Sequence, residues 1–410
     1  MGINQNTSTD IDCIFRLMNY QGSYDVFTVG SMLYPNSSDR KSVRGNLKDI
    51  SDWKPILQKA IDTHLAPILH KTFSGLNIQI PTDINNGFQN AYNQVIVRNI
   101  VLQKEFKDFA KVLNEHQIPL VPLKGIYLSE IIYKDLGLRH LSDIDVLIRE
   151  QHLDQVCELM KNNGWSVKAI LRRSSLEDEE FTHAHPYSLI KKHVTIELHT
   201  HLYSGNQGAN ISKEELWNDT RSEQFLGVEI RQFSNEMLLQ HLCLHLHKHL
   251  FGTELKVLSF CDIREFLNVK RDEFSWQRFE QLAMTYKCKE DIGQILYLCS
   301  SYWKVAVPEE FLNIQCSKSE LEERFWSFMG GYSKKTNTVL QNRLSINTRN
   351  IALLKSNRAK LAFIVGLTFP TVEFMRQCYN LNENDWLFPW YVYRPIELSI
   401  KAVKAIVSKR

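Results

Sequence analysis

Apolar positions fall three and four residues apart over 50–70 and again over 88–113, the spacing of one buried helix face, with Pro81-Thr82-Asp83 punctuating the interval. The texture changes at Ile118-Pro119-Leu120-Val121-Pro122-Leu123, a short β-prone run ended by Lys124-Gly125. A helix-like segment covers 126–133. The loop from Lys134 to Arg139 then leads into Ser142-Asp143-Ile144-Asp145-Val146-Leu147-Ile148, which alternates as a strand does. Residues 152–162 return to helical spacing through Leu153, Val156, Leu159 and Met160, and Asn163-Gly164 supplies a C-cap. Residues 165–171 predict a strand, and 187–190 with 194–199 a hairpin around Lys191-Lys192-His193. Beyond Asn210 the pattern is helical again, clearly from Ser234-Asn235 to Leu250, then over 257–268, 276–286, 291–302 and 321–328. Residues 358–378 are apolar with a break at Pro370.

Helix, then a small mixed sheet, then helix predicts an α+β protein. The expected regions are a mainly helical one over 1–115, an α/β core over 116–233 and a second helical one over 234–410. No internal repeat marks a solenoid. A net charge of +3 is too small for a general nucleic-acid coat, although a local basic groove stays compatible with it. The eight cysteines are scattered with no CxxC pair, which predicts a reducing, cytoplasmic setting. Met1 to Asp10 is polar and unlike a signal peptide, and Asn6 stands where a myristoylation signal needs Ser or Thr. The most apolar stretch, 361–369, is about half of the ~20 residues a membrane helix needs, so no membrane partner is expected.

Asp143 and Asp145 are the informative pair. Residues i and i+2 on a strand share a face, so the two carboxylates project together and repel unless a cation sits between them. Mg²⁺ suits such a pair, since it accepts one or two carboxylates and completes its shell with water and phosphate oxygens. A third carboxylate on a neighbouring strand would complete a two-metal site, and Glu197 in Ile196-Glu197-Leu198-His199 is the candidate. A lone Asp-x-Asp is commonplace in solvated loops; this one has company. Lys124-Gly125 follows a strand and opens a helix, where glycine admits a ligand's approach and lysine adds a charge for phosphate. Arg139 could grip a phosphate, orient Asp143 or form a structural ion pair. His199 shares Glu197's strand face and could orient an acceptor, bond a phosphate or be structural, and His201 would join it if the strand continued.

These residues, in order, resemble the uncharacterised nucleotidyltransferase family of the polymerase-β-like superfamily. The resemblance rests on Leu123-Lys124-Gly125, Tyr133, Arg139, Ser142 to Ile148 and Ile196 to His199. The His-rich helix over 242–249, Asp262, and the late Phe369-Pro370, Tyr379 and Tyr391 to Arg394 extend it to roughly 50–400. It implies a nucleotidyltransferase core, two Mg²⁺ ions and an NTP donor, ATP foremost. Asp143 and Asp145 would hold both metals; Glu197 would bind the second or help deprotonate the acceptor. Lys124, Gly125, Arg139, Ser142 and His199 would face the nucleotide. Two departures stand out: the superfamily's usual Gly-Ser or Gly-Gly turn is Lys124-Gly125 here, and the interval from Gly125 to Asp143 is longer than in small members. Gly30-Ser31 imitates the missing turn without a suitably spaced Asp-x-Asp behind it.

The expected activity is NMP transfer to a hydroxyl or phosphate of an acceptor that could be a small molecule, peptide, protein or RNA. Three rivals are a nucleotide-binding regulatory module without catalysis, a toxin-like RNA-modifying transferase and a His-metal hydrolase. His241, His245 and His249 share a helix face, with His247 elsewhere. No Glu follows the first His of a pair as an HExxH protease needs, so the face is expected to pack on the sheet, with His245 or His249 near the nucleotide or satisfied by Asp262. Trp386, Phe388, Trp390, Tyr391 and Tyr393 read as a packing lid, since aromatics without interleaved basic residues give no strong nucleic-acid signal. The metal-site reading requires the Glu197 side chain to face the 143/145 pair with no salt bridge filling the space between them.

Overall fold

A computed structural model describes residues 52–169, 187–203, 211–251, 256–329, 357–382 and 384–407. The helix expected over 50–70 is two helices, α1 (Lys54–Asp62) and α2 (Ala66–Gly75). His64, in the left-handed region at φ 60°, turns the chain between them. Helix α3 (Thr82–Glu115) begins at the Pro81-Thr82-Asp83 punctuation and runs 34 residues. Its buried stripe, Phe88, Val95, Asn99, Leu102, Phe106, Phe109 and Leu113, contains one amide among hydrocarbons.

The main sheet has the order β1-β2-β5-β4-β3. Its strands are β1 (Leu120–Leu123), β2 (Ile144–Ile148), β3 (Ser166–Ala169), β4 (Tyr187–Lys191) and β5 (Val194–His199). β2 and β5 run parallel, and the other three pairings are antiparallel, so the sheet is mixed as expected. Between β1 and β2 lie a short helix α4 (Lys124–Leu128) and one π-helical turn (Ser129–Tyr133). Helix α5 (Leu153–Asn162) connects β2 to β3.

The β4–β5 hairpin turns at Lys192, as the sequence predicts, but a second hairpin was not legible. After α6 (Lys213–Asn218), strands β6 (Thr220–Phe225) and β7 (Val228–Phe233) pair where helix was expected from Asn210 onward. Leu226 and Gly227 both carry positive φ, 51° and 76°, the requirement of a two-residue turn matched to strand twist. β7 packs against β1 and α3, which locks the hairpin to the main sheet's edge.

The C-terminal half is helical: α7 (Asn235–Leu250), α8 (Leu258–Val269), α9 (Trp276–Thr285), α10 (Lys289–Trp303), α11 (Glu309–Leu312) and α12 (Lys318–Met329). Helices α13 (Asn357–Thr368), α14 (Val372–Tyr379) and α15 (Phe388–Val407) follow. One apolar core runs from α2 and α3 through the sheet into α7, α8 and α10. The expected aromatic lid packs only in part: Trp390 and Tyr391 are half-buried against Tyr379 and the Pro370 carbonyl, whereas Trp386, Phe388 and Tyr393 are 74%, 63% and 47% exposed. The seven cysteines among the described residues are free thiols, and no helix among those residues is long and apolar enough to cross a membrane. Gly30-Ser31, the chain up to residue 51 and the expected end of β3 at 170–171 lie outside the described residues.

Candidate active site

The site forms because β2 and β5 are parallel neighbours in a register that sets Asp145 opposite Glu197. On β5, Ile196 and Leu198 point into the core, so Glu197 and His199 share the other face. Asp145 shares that face from the adjacent strand. Asp145, Glu197 and His199 each offer a ligand atom within 4.8 Å of the others.

The loop that delivers Asp143 and Asp145 is pinned by the stretch of α3 that the sequence left without a role. Asn99 Nδ2 donates to the carbonyls of Leu136 (2.8 Å) and Arg139 (2.7 Å). Arg98 donates to the carbonyls of Leu141 and Ser142, and Tyr92 Oη donates to Asp135 (2.7 Å). The readable signal was an asparagine at an interior position of an apolar stripe, whose buried Nδ2 must find acceptors. Asp143, half-buried just before β2, accepts from Ser142 Oγ at 2.7 Å and stands outside the tight three-residue cluster.

Lys124 and His199 share one oxygen. Lys124 Nζ lies 3.1 Å and His199 Nε2 2.7 Å from Asp145 Oδ1. Lys124 follows β1 and reaches Asp145 from the strand edge opposite Glu197, because β1 and β5 flank β2 on different sides. The Lys124 salt bridge closes on Oδ1, His199 Nε2 also stands 3.9 Å from Glu197 Oε2, and no described residue donates to Oδ2. Burial alone would raise the Asp145 carboxyl, but the Lys124 ammonium and the His199 hydrogen bond outweigh it and hold it well below the usual range. Burial lowers His199, so its ring is neutral near pH 7 and its Nε2–H donates to the carboxylate. Glu197 shows the opposite response. Burial, then Asp145, then Asp143 push its carboxyl up to about 7. Three carboxylates are thus coupled across two strands, and one of them is only half-ionised at neutrality.

Lys124 takes a left-handed φ of 45°, unusual for a long side chain and a local strain at the site. Gly125 is required for a reason other than ligand approach. A Cβ there would lie 2.6 Å from Arg139 Nη1 and 2.9 Å from Leu141 Cδ2, so the glycine makes room for the Arg139 guanidinium. Arg139 neither reaches Asp143 nor stands open for phosphate. It forks onto Asp262 through Nε (3.1 Å) and Nη2 (2.8 Å), and Tyr133 Oη donates to the same carboxylate at 2.9 Å. Of the three roles open to Arg139 from sequence, the geometry gives the structural ion pair.

The His-rich helix is α7, and it lies beside the site: the Lys124 charge helps hold both His241 and His245 low, after burial. Asp262 does not satisfy either His245 or His249, being taken by Arg139. Those two rings meet each other instead, Nε2 to Nε2 at 3.3 Å. His201 lies past the strand's end. It accepts from Tyr203 N–H and donates to the Ile211 carbonyl, a structural role.

Comparison with known proteins gives one family and nothing else: no curated protein and no solved structure matches the chain. The family model described as uncharacterised nucleotidyltransferase matches residues 49–304, more than half of the 410, and takes in every residue of the carboxylate cluster. The match ends before Phe369-Pro370 and Tyr391 to Arg394, so those late residues fall outside it. With the five-stranded mixed sheet, the strand-borne carboxylates and this match in agreement, the chain belongs to the uncharacterised nucleotidyltransferase family.

Proposed function

We propose that the protein transfers NMP from an NTP, ATP foremost, to a hydroxyl or phosphate of an acceptor, with two Mg²⁺ ions held by Asp143, Asp145 and Glu197. The observation that carries this reading is the placement of Asp145 opposite Glu197 on parallel strands, with ligand atoms of Asp145, Glu197 and His199 within 4.8 Å of one another; burial, Asp145 and Asp143 accordingly push the Glu197 carboxyl up to about 7. A cluster of this kind is unfavourable alone and is relieved by a divalent cation. The donor set fits: oxygen ligands from facing strands, with Asp145 Oδ2 taking no hydrogen bond among the described residues. Bound there, Mg²⁺ would supply charge neutralisation to the triphosphate and the leaving pyrophosphate.

The chain's own residues carry the remaining roles. Lys124 and His199 keep Asp145 ionised and oriented through Oδ1. Ser142 does the same for Asp143. Glu197 takes one of two roles: it binds the second ion, or it accepts the proton of an acceptor hydroxyl. That oxygen then bonds to the α-phosphorus as the bridging oxygen leaves with pyrophosphate. Gly125 and Arg139 support the site by packing, and Lys124 is the cation nearest to an incoming phosphate.

The test is incubation of the pure protein with α-labelled NTPs, Mg²⁺ and a cell lysate as acceptor source. Label should pass to an acceptor with release of pyrophosphate, and Asp143→Ala or Asp145→Ala should remove the transfer while leaving the fold intact. Transfer at an unchanged rate in either variant would contradict the mechanism.

A further inference from the structure

Large hydrophobic side chains that face solvent are concentrated in one part of the molecule. Sixteen are exposed among the described residues, and ten of these lie between 361 and 400, on α13 to α15 and their connections. Of the six elsewhere, Val97, Ile100 and Val101 share a face of α3 and the others are single; here ten gather on three helices and their connections.

Helix α15 is held with its polar anchors inward. Arg394, 3% exposed, donates from Nε to the Leu367 carbonyl at 3.1 Å and lies 5.1 Å over the Phe374 ring. Glu397 accepts from Tyr379 Oη at 2.6 Å, and Tyr391 Oη donates to the Pro370 carbonyl at 2.6 Å. Residues 391, 394 and 397 therefore define the inner face. The outer face falls on Phe388, Val392, Ile396 and Ile400, spaced by four and 63%, 54%, 53% and 47% exposed. Trp386 and Tyr393 widen it. A helix that buries an arginine and half-buries a glutamate while presenting a hydrocarbon stripe is arranged for a surrounding less polar than water.

Charge selects what that surrounding is. Beyond the inward Arg394 and Glu397, residues 398–410 contain four cationic side chains, Lys401, Lys404, Lys409 and Arg410, and no acidic one. An apolar stripe rich in Trp, Phe and Tyr, continuing into a basic segment, is the composition of a helix that lies in the headgroup region of an anionic bilayer. It does not span one, since no helix among the described residues is long and apolar enough.

We propose that the outer face of α15 docks on an anionic lipid surface. This is independent of the chemistry at Asp145, and it revises the expectation of no membrane partner.

The test is co-sedimentation of the full chain with vesicles of phosphatidylcholine, with and without phosphatidylglycerol, at low and high salt. Binding should be at least about tenfold stronger to the anionic vesicles and weaken with salt. Phe388→Ser with Ile396→Ser, which keeps the charge, should lower it at least about tenfold. Lys401→Gln with Lys404→Gln should lower binding to anionic vesicles only, and keeps the test open should the apolar variant misfold. Light scattering should show a monomer without lipid. Absence of binding to either vesicle, binding by both pairs of variants as strong as that of the parent protein, or a dimer that the serine variant dissociates would overturn the proposal.

Discussion

Asp262 and Asp145 are 1% and 9% exposed, and each lies within 3.1 Å of a basic side chain. Their surroundings differ in closure. Both Asp262 oxygens are occupied, one by Tyr133 and Arg139 Nε and the other by Arg139 Nη2, in a bidentate pair. At Asp145 the lysine and the histidine crowd onto Oδ1, while Glu197 stands opposite with a carboxyl raised to about 7. The first arrangement is complete and ties the 134–142 loop to α8. The second is incomplete in a specific sense: Asp145 Oδ2 takes no hydrogen bond among the described residues, and burial with two neighbouring carboxylates outweighs the pull of Lys124 and Lys256 on Glu197. A buried ion pair alone therefore does not distinguish structural from functional acids here, whereas unmatched neighbours do.

The comparison can be broken first at the open site. Asp143→Ala and Asp145→Ala should lower transfer at least about 10³-fold, some 4 kcal/mol of barrier. Asp143→Ala should change the unfolding transition little, whereas Asp145→Ala also costs stability, because Lys124 and His199 lose their shared carboxylate. Asp262→Ala should do the reverse of Asp143→Ala. It leaves Arg139 buried without its partner and should cost about 3–5 kcal/mol in urea unfolding, while the folded fraction keeps its turnover per site. A stability loss below about 1 kcal/mol would mean that the pair is not the lock described.

Acidity sharpens the contrast. The folded Glu197 carboxyl titrates at about 7 instead of 4.5, so between these values the native state holds more protons than the unfolded chain. Stability from this group is therefore fully present below about pH 4.5 and lost as pH rises through about 7, by at most about 3 kcal/mol. Glu197→Gln should lack that decline, and saturating Mg²⁺ should flatten it in the parent protein. The smallest effect concerns the support beneath the site. Gly125→Ala should cost about 1–3 kcal/mol by pressing a methyl group against the pinned Arg139 guanidinium and Leu141.

Much of this was legible from the chain because it follows local periodicity. The strands bearing Asp145 and Glu197, the β4–β5 hairpin and α7 all announce themselves by alternation or helical spacing. The β6–β7 hairpin does not. Arg221, Ser222, Glu223 and Gln224 give β6 an almost wholly polar run between Thr220 and Phe225, so only the Leu226-Gly227 turn and the alternation of β7 could have marked it. The partners of the site acids were equally obscure, because they arise from tertiary packing. Nothing local shows that Arg139 prefers Asp262 to phosphate, or that Gly125 exists for a guanidinium. Nor does periodicity reveal that α15 turns its apolar stripe outward, since the inner contacts of Arg394 and Glu397 decide it.

Cation affinity tests the contrast between the two aspartates most directly. Mn²⁺ titration, followed by the loss of its free-ion spin-resonance signal, can be run with a non-hydrolysable NTP on the parent protein and on Asp145→Asn, Glu197→Gln and Asp262→Asn. The account predicts at least about tenfold weaker binding for the first two variants and unchanged binding for folded Asp262→Asn. Equal affinity in the parent protein, Asp145→Asn and Glu197→Gln would contradict it.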